Sequence, residues 1–225
     1  MSQQPTPQEE QKVKPADSSN WADATPAGLV ALAVACFCYF AMLTGLVDAG
    51  LSVALLGCWL TGGFVVQFVV GIIDLKNKNA TGGCTFAFFS GFFMLTGALS
   101  MFIKAGVFGG GAEGPLATAP PIDGFAWMAL GLALLLWTPA FIQAAGQLFL
   151  IVIGLDVAIP FLVLKDLGIF PGADQAFGII AGVCLLICGL LGLWLAAVLI
   201  VNKAFGREVY PTLKPFYRPK KDKDK

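Results

Sequence analysis

The chain has 225 residues, of which 57% are hydrophobic and only 12% charged, and its formal net charge is zero. Soluble domains carry about 25% charged residues, so this balance excludes an ordinary soluble enzyme and points to an integral membrane protein. The sequence contains no histidine, which excludes Ser-His-Asp catalysis, histidine-ligated metals and a histidine proton relay.

Residues 1–24 are rich in Gln, Pro, Ser and charge and are expected to form a polar tail with little to bury. No apolar segment follows a basic start there, so no cleaved secretory signal is expected. Trp21 stands where an interfacial aromatic belongs, just before the first apolar run. Six spans are then predicted: Pro26–Val47, Leu51–Ile73, Gly83–Ile103, Phe125–Ala145, Leu148–Leu164 and Phe177–Val201. Pro26 is tolerated in a first turn, whereas Pro139 should kink the fourth span or end it early. The second and third spans flank a basic hinge, 74–81, with Lys76 and Lys78. A Gly- and Pro-rich loop, 104–123, separates the third and fourth. Gln143 and Gln147 bracket a weak break between the fourth and fifth. Residues 203–225 form a basic, proline-studded tail, so residues 25–202 are the transmembrane domain.

With six spans, both tails, the 74–81 hinge and the 4–5 turn share one side, which holds twelve Lys and Arg. The other side has only Lys104 and Lys165. This bias predicts cytoplasmic termini and an even number of spans in a multi-pass inner or plasma membrane protein. The lysine-rich tail is expected to be the solvated topogenic end rather than a lipid-binding element.

Among the 27 glycines, Gly178 and Gly182 form a GxxxG face, which permits close helix packing within the chain or between copies. The six cysteines (Cys36, Cys38, Cys58, Cys84, Cys184, Cys188) lie in apolar runs without paired CxxC spacing and read as small packing residues. No metal-ligand cluster, nucleophile–base pair or Walker loop can be drawn, so neither an enzyme, a cofactor, an ATP-driven pump nor a nucleic-acid partner is expected. The intramembrane polar groups are few: Thr44, Gln67, Thr85, Ser90, Thr96 and Asp156. A carboxylate at membrane depth is expensive, which makes Asp156 a candidate for a proton or substrate path. Asp48 and Asp74, at span ends, read as capping or solvated. The Phe86, Phe88, Phe89, Phe92 and Phe93 cluster could supply a hydrophobic constriction.

GGFVVQFVVGIIDLKNKN in the second span, GGCTFAFFS in the third, GLALLLW in the fourth, and LLICG followed by NKAFGREVYP at the end resemble, in order, motifs of the acetate uptake transporter family, the succinate–acetate permeases. The family entry signature NPAPLGL is matched at Pro26, Gly28 and Leu29 but lacks its leading Asn-Pro. The resemblance implies an all-α protomer of six transmembrane helices, each with its own pore, in a ring-shaped homohexamer. It implies passage of acetate and related short-chain carboxylates, succinate among them, by a channel-like or proton-coupled (symport) route. The Phe, Tyr and Leu that narrow the family pore correspond to Leu32, Phe89 and Ile159, so the third-span position lacks its hydroxyl. An acidic residue frequent late in the family's sixth span is Leu199 here. Thr44, Gln67, Thr85 and Asp156 are the candidates for the substrate or proton path. Two rival readings remain: a channel for a small neutral solute such as urea or an amide, and a non-transporting membrane sensor or assembly subunit.

Overall fold

The computed structural model describes residues 21–108 and 122–217. The expected N-terminal tail up to residue 20, most of the Gly- and Pro-rich loop (109–121) and the lysine-rich end (218–225) lie outside the described residues. The chain folds as α1 (Thr25–Leu43), α2 (Ala49–Lys76), α3 (Ala80–Phe88), a π-helical segment (Phe89–Leu95), α4 (Thr96–Lys104), α5 (Ile122–Phe141), α6 (Gly146–Asp166) and α7 (Asp174–Phe205). From α3 to α4 the helix is continuous and forms the third span, so among the described residues six helices are long and apolar enough to cross a membrane. Their outward faces expose Leu55, Trp59, Val65, Ile72, Leu132, Leu136, Ile187 and Leu190. An apolar band of that extent matches lipid rather than water. The protein is a multi-pass membrane protein.

The spans close into a ring. α1 packs between α7 and α2, α2 against the third span, and α6 between α7 and α5, with a light seam between α3 and α5. Close approach of α1 and α7 depends on glycine. A Cβ at Gly178 would lie 3.2 Å from Leu43 O, and one at Gly182 would lie 3.2 Å from Thr44 Cγ2. The GxxxG face is therefore occupied by α1 of the same chain.

Local chemistry sets the ends of the helices. Asp48 caps α2, its Oδ1 accepting from Leu51 N at 2.8 Å, as expected of a span-end aspartate. Asp74 departs from the solvated or capping role expected of it: it is 2% exposed. Thr25 Oγ1 lies 3.4 Å from both its oxygens, and Asn79 Nδ2 donates to Oδ2 at 3.1 Å. The start of α1 and the hinge close over the carboxylate and supply the donors that a buried charge needs. Trp21 clamps this hinge through paired hydrogen bonds with the Asn77 side chain, at 2.8 and 3.1 Å, and its ring lies 4.1 Å from Lys76 Nζ. Pro139 withdraws a backbone donor, and α5 ends at Phe141, short of the expected Ala145.

Ahead of its lysine-rich end, the C-terminal segment runs back along the bundle. After Gly206 ends α7 at φ +62°, residues 207–217 form a strap. Asn202 holds its first part, accepting from Val209 N and Tyr210 N and donating to Tyr210 O. Its second part crosses the α5–α6 turn, where Gly146 N donates to Leu213 O, Leu213 N to Gln147 Oε1, and Tyr217 N to Ile142 O. Phe216 packs on Phe149. The strap, Trp21, the α2–α3 hinge and the α5–α6 turn thus gather at one end of the bundle, the tail end. The α1–α2 link and the α6–α7 loop mark the far end.

Candidate functional site

Three cavities lie in series inside the ring. The tail-end cavity, ≈ 310 Å³, is walled by α1, α2, the third span, α5 and α6, and its polar lining is Thr25, Gln67, Asn79, Thr81, Thr85 and Gln143. Leu32, Phe89 and Leu155 close it and continue into a neck of ≈ 20 Å³, which adds Cys36, Tyr39, Phe93, Trp127, Ile159, Leu162 and Leu185. Tyr39, Trp127 and Leu162 then open onto the far-end cavity of ≈ 150 Å³, lined also by Thr96, Ser100, Lys104, Asp123, Lys165 and Asp166. About 10–15 Å³ of such space holds one water molecule, so the neck has room for about one water and none for a carboxylic acid as it stands.

The neck owes its shape to the third span. A π-helical turn inserts an extra residue into the helical repeat, and such bulges re-aim side chains. Phe89 and Phe93 both turn inward, with their rings in edge contact at 6.0 Å, and Phe88 stacks on Phe89 at 4.5 Å. Phe93 in turn stacks on Tyr39 and meets Trp127 edge-on. Leu32, Phe89 and Ile159, expected to form a constriction, therefore meet in one neck, each under 8% exposed.

Pro26, Gly28 and Leu29 are buried in the first turns of α1. Leu29 lines the tail-end cavity. Gly28 makes room for Phe86, because a Cβ there would lie 2.5 Å from its ring. Gln67 is 1% exposed, and its Nε2 donates to Gly28 O at 3.3 Å while Oε1 has no partner. Thr85 joins the same cavity and donates its hydroxyl to Thr81 O at 2.8 Å.

The other two polar candidates stand apart. Thr44 ends α1, bonds back to Phe40 O at 2.7 Å and packs on α7. Asp156 accepts from Thr138 Oγ1 at 2.6 Å and lies in a lateral apolar groove between α5 and α6. Ile159 lines both that groove and the neck.

Sequence reasoning missed Tyr39, Trp127, Thr25 and Asn79. Tyr39 had a signal, being the one tyrosine inside a predicted span. Thr25 and Asn79 lay outside the predicted spans. Of the cysteines, Cys36 faces the neck and Cys58 and Cys84 are exposed on the outer surface, so packing does not account for all six.

Residues 5–216 match the sequence profile of the GPR1/FUN34/yaaH family. No curated protein matches the chain significantly by sequence. Among solved structures, one titled "Structure of the bacterial acetate channel SatP" aligns with a TM-score of 0.72 at 22% identity, over 85% of this chain and 99% of that one. At that identity the likeness is one of fold.

Proposed function

This chain belongs to the GPR1/FUN34/yaaH family, and from that premise we propose that it carries acetate and related short-chain carboxylates across a membrane. The observation that carries the reading is the pair of polar cavities joined through an apolar neck inside a ring of six spans. A small solute can be desolvated in steps along such a path, and the aromatic neck excludes larger ones. Leu32, Phe89 and Ile159 act as the constriction. Pro26, Gly28 and Leu29 shape the tail-end entry, and Gln67 and Thr85 line the path. Thr44 acts indirectly, by bracing α1 on α7. Asp156 is the carboxylate through which a proton would bias the neck, by way of Ile159 one turn on.

The distribution of Lys and Arg makes the tail end cytoplasmic. Residues 25–202 are the transport domain. The apolar flank of α5 and the groove beside it suit contact with further copies in a ring, a homohexamer by the family resemblance. The neutral-solute reading keeps one observation in its favour: among the described residues no Lys or Arg lines the tail-end cavity.

Uptake of labelled acetate into proteoliposomes tests the proposal, with protein-free vesicles as the reference. Protein-dependent acetate flux supports it. Free passage of urea with no acetate flux would leave the neutral-solute reading instead.

A further inference from the structure

The polar groups of the tail-end cavity are unequal in what they offer. Gly28 O, an acceptor, draws the Gln67 amide nitrogen and so fixes which way the amide lies, leaving a buried Oε1 with no donor. The Thr85 hydroxyl spends its hydrogen on Thr81 O, and the Thr25 hydroxyl lies against Asp74. Each keeps only lone pairs to present. Asn79 gives an amide hydrogen to Asp74, and its own oxygens take Gly82 N and Gly83 N at the start of α3. That helix end is therefore already capped, with a carboxylate beside it. Among the described residues no Lys or Arg lines this cavity, whereas Lys104 and Lys165 line the far-end one. Gln143 lies at the mouth and is exposed.

We infer that the tail-end cavity recognises the uncharged carboxylic acid rather than the carboxylate, with Gln67 Oε1 accepting the hydrogen bond from the acid's hydroxyl. A carboxylate brings acceptors only, to a cavity where Gln67 Oε1 and the Thr25 and Thr85 hydroxyls also present lone pairs beside Asp74. Besides Gln143, the Thr81 hydroxyl and the second amide hydrogens of Gln67 and Asn79 are the remaining donors there. The acid brings a donor, and with it satisfies the buried oxygen. A primary amide carries the same donor and shares the site. This inference rests on the carboxylate-transport reading and adds the charge state and the residue that selects it.

The test uses proteoliposomes of the full chain with an entrapped pH dye, labelled acetate added outside, and membrane potential set by potassium and valinomycin. Rates in protein-free vesicles are subtracted. The expected result is lumen acidification that is indifferent to the sign of the potential, slowed by acetamide, and reduced between about two- and tenfold by Gln67→Leu, as loss of one hydrogen bond implies. Entry of labelled acetate that is accelerated by an inside-positive potential and brings no matching acidification, indifference to acetamide, or an unchanged rate in Gln67→Leu would each overturn it. Should Gln67→Leu fail to assemble, the potential and acetamide arms decide on the wild-type chain. Potential-driven acetate flux would leave the transport reading standing and sink only the neutral-acid inference. Absence of protein-dependent flux at either potential would sink both.

Discussion

The Tyr39 ring of α1 stacks on Phe93 of the π-helical segment, with centroids 5.4 Å apart and planes 30° apart. This contact sets a phenol hydroxyl where the neck meets the far-end cavity. The hydroxyl lost at Phe89, relative to the family pattern, thus has a counterpart on the opposite wall. Tyr39→Phe keeps the stacked ring and removes the hydroxyl alone. Acetate flux should fall between about two- and tenfold, the range of one hydrogen bond. The melting temperature should hold within about 2 °C. Flux at the wild-type rate would make the ring, and not its hydroxyl, the functional part.

Phe89→Ala should do the opposite. The ring is 7% exposed, touches Phe88 and Phe93, and narrows a space of only ≈ 20 Å³. Removing it opens the neck while costing about 3–5 kcal/mol of packing. We expect faster acetate flux, admission of longer-chain acids, and a lower melting temperature. Slower flux in a folded variant would deny Phe89 its place in the constriction.

Cys36 reports on the neck from inside. It is 1% exposed yet lines the path. With the other five cysteines replaced by alanine, a water-soluble methanethiosulfonate should label it slowly, and labelling should block flux. Phe89→Ala in the same background should speed the reaction, since access limits a buried thiol. Equal labelling rates in the two backgrounds would contradict a lumen closed by Phe89.

Gly28→Ala tests the entry. The added methyl would lie 2.5 Å from Phe86 Cε1, and Phe86 is itself buried. Overpacking of this kind costs about 1–3 kcal/mol. Thermal unfolding in detergent should show the loss. Flux should drop too, because Phe86 and Gln67 line the same cavity.

Gly146→Val tests the strap. A Cβ at Gly146 would lie 2.8 Å from Leu213 Cβ and 2.9 Å from Lys214 O, the latter a backbone atom that cannot move alone. The substitution should release residues 213–217 and make chymotryptic cleavage after Phe216 several-fold faster. Unchanged cleavage would mean that the strap is held by Asn202 and by Trp194, whose Nε1 donates to Pro211 O at 3.3 Å, without need of the Gly146 contact.

The spans were legible because lipid demands long apolar runs, and every predicted span has its helix. Leu32 and Ile159 were reachable only through the family resemblance, and Phe89 without it only as one of five clustered phenylalanines, since nothing in an apolar run marks which leucine or phenylalanine faces inward. The π-helical turn was not legible: inserting a residue into the repeat leaves composition untouched and shows only as a rotated face. Asp74 was misread because burial of a span-end carboxylate depends on Thr25 and Asn79, which reach it from other segments. Asp156 was prominent for its charge, but the side of α6 on which it lies is set by packing against Thr138 of α5.

The strap also imposes an order on biosynthesis. Gln147 receives its bond from Leu213, 66 residues further along the chain. All six spans are therefore translated before the α5–α6 turn gains that brace. Until then the tail-end mouth, which Gln143, Ala144 and Leu148 help to line, lacks one of its supports. A chain cut short within 207–217 would carry every membrane-crossing element and still have an unfinished doorway.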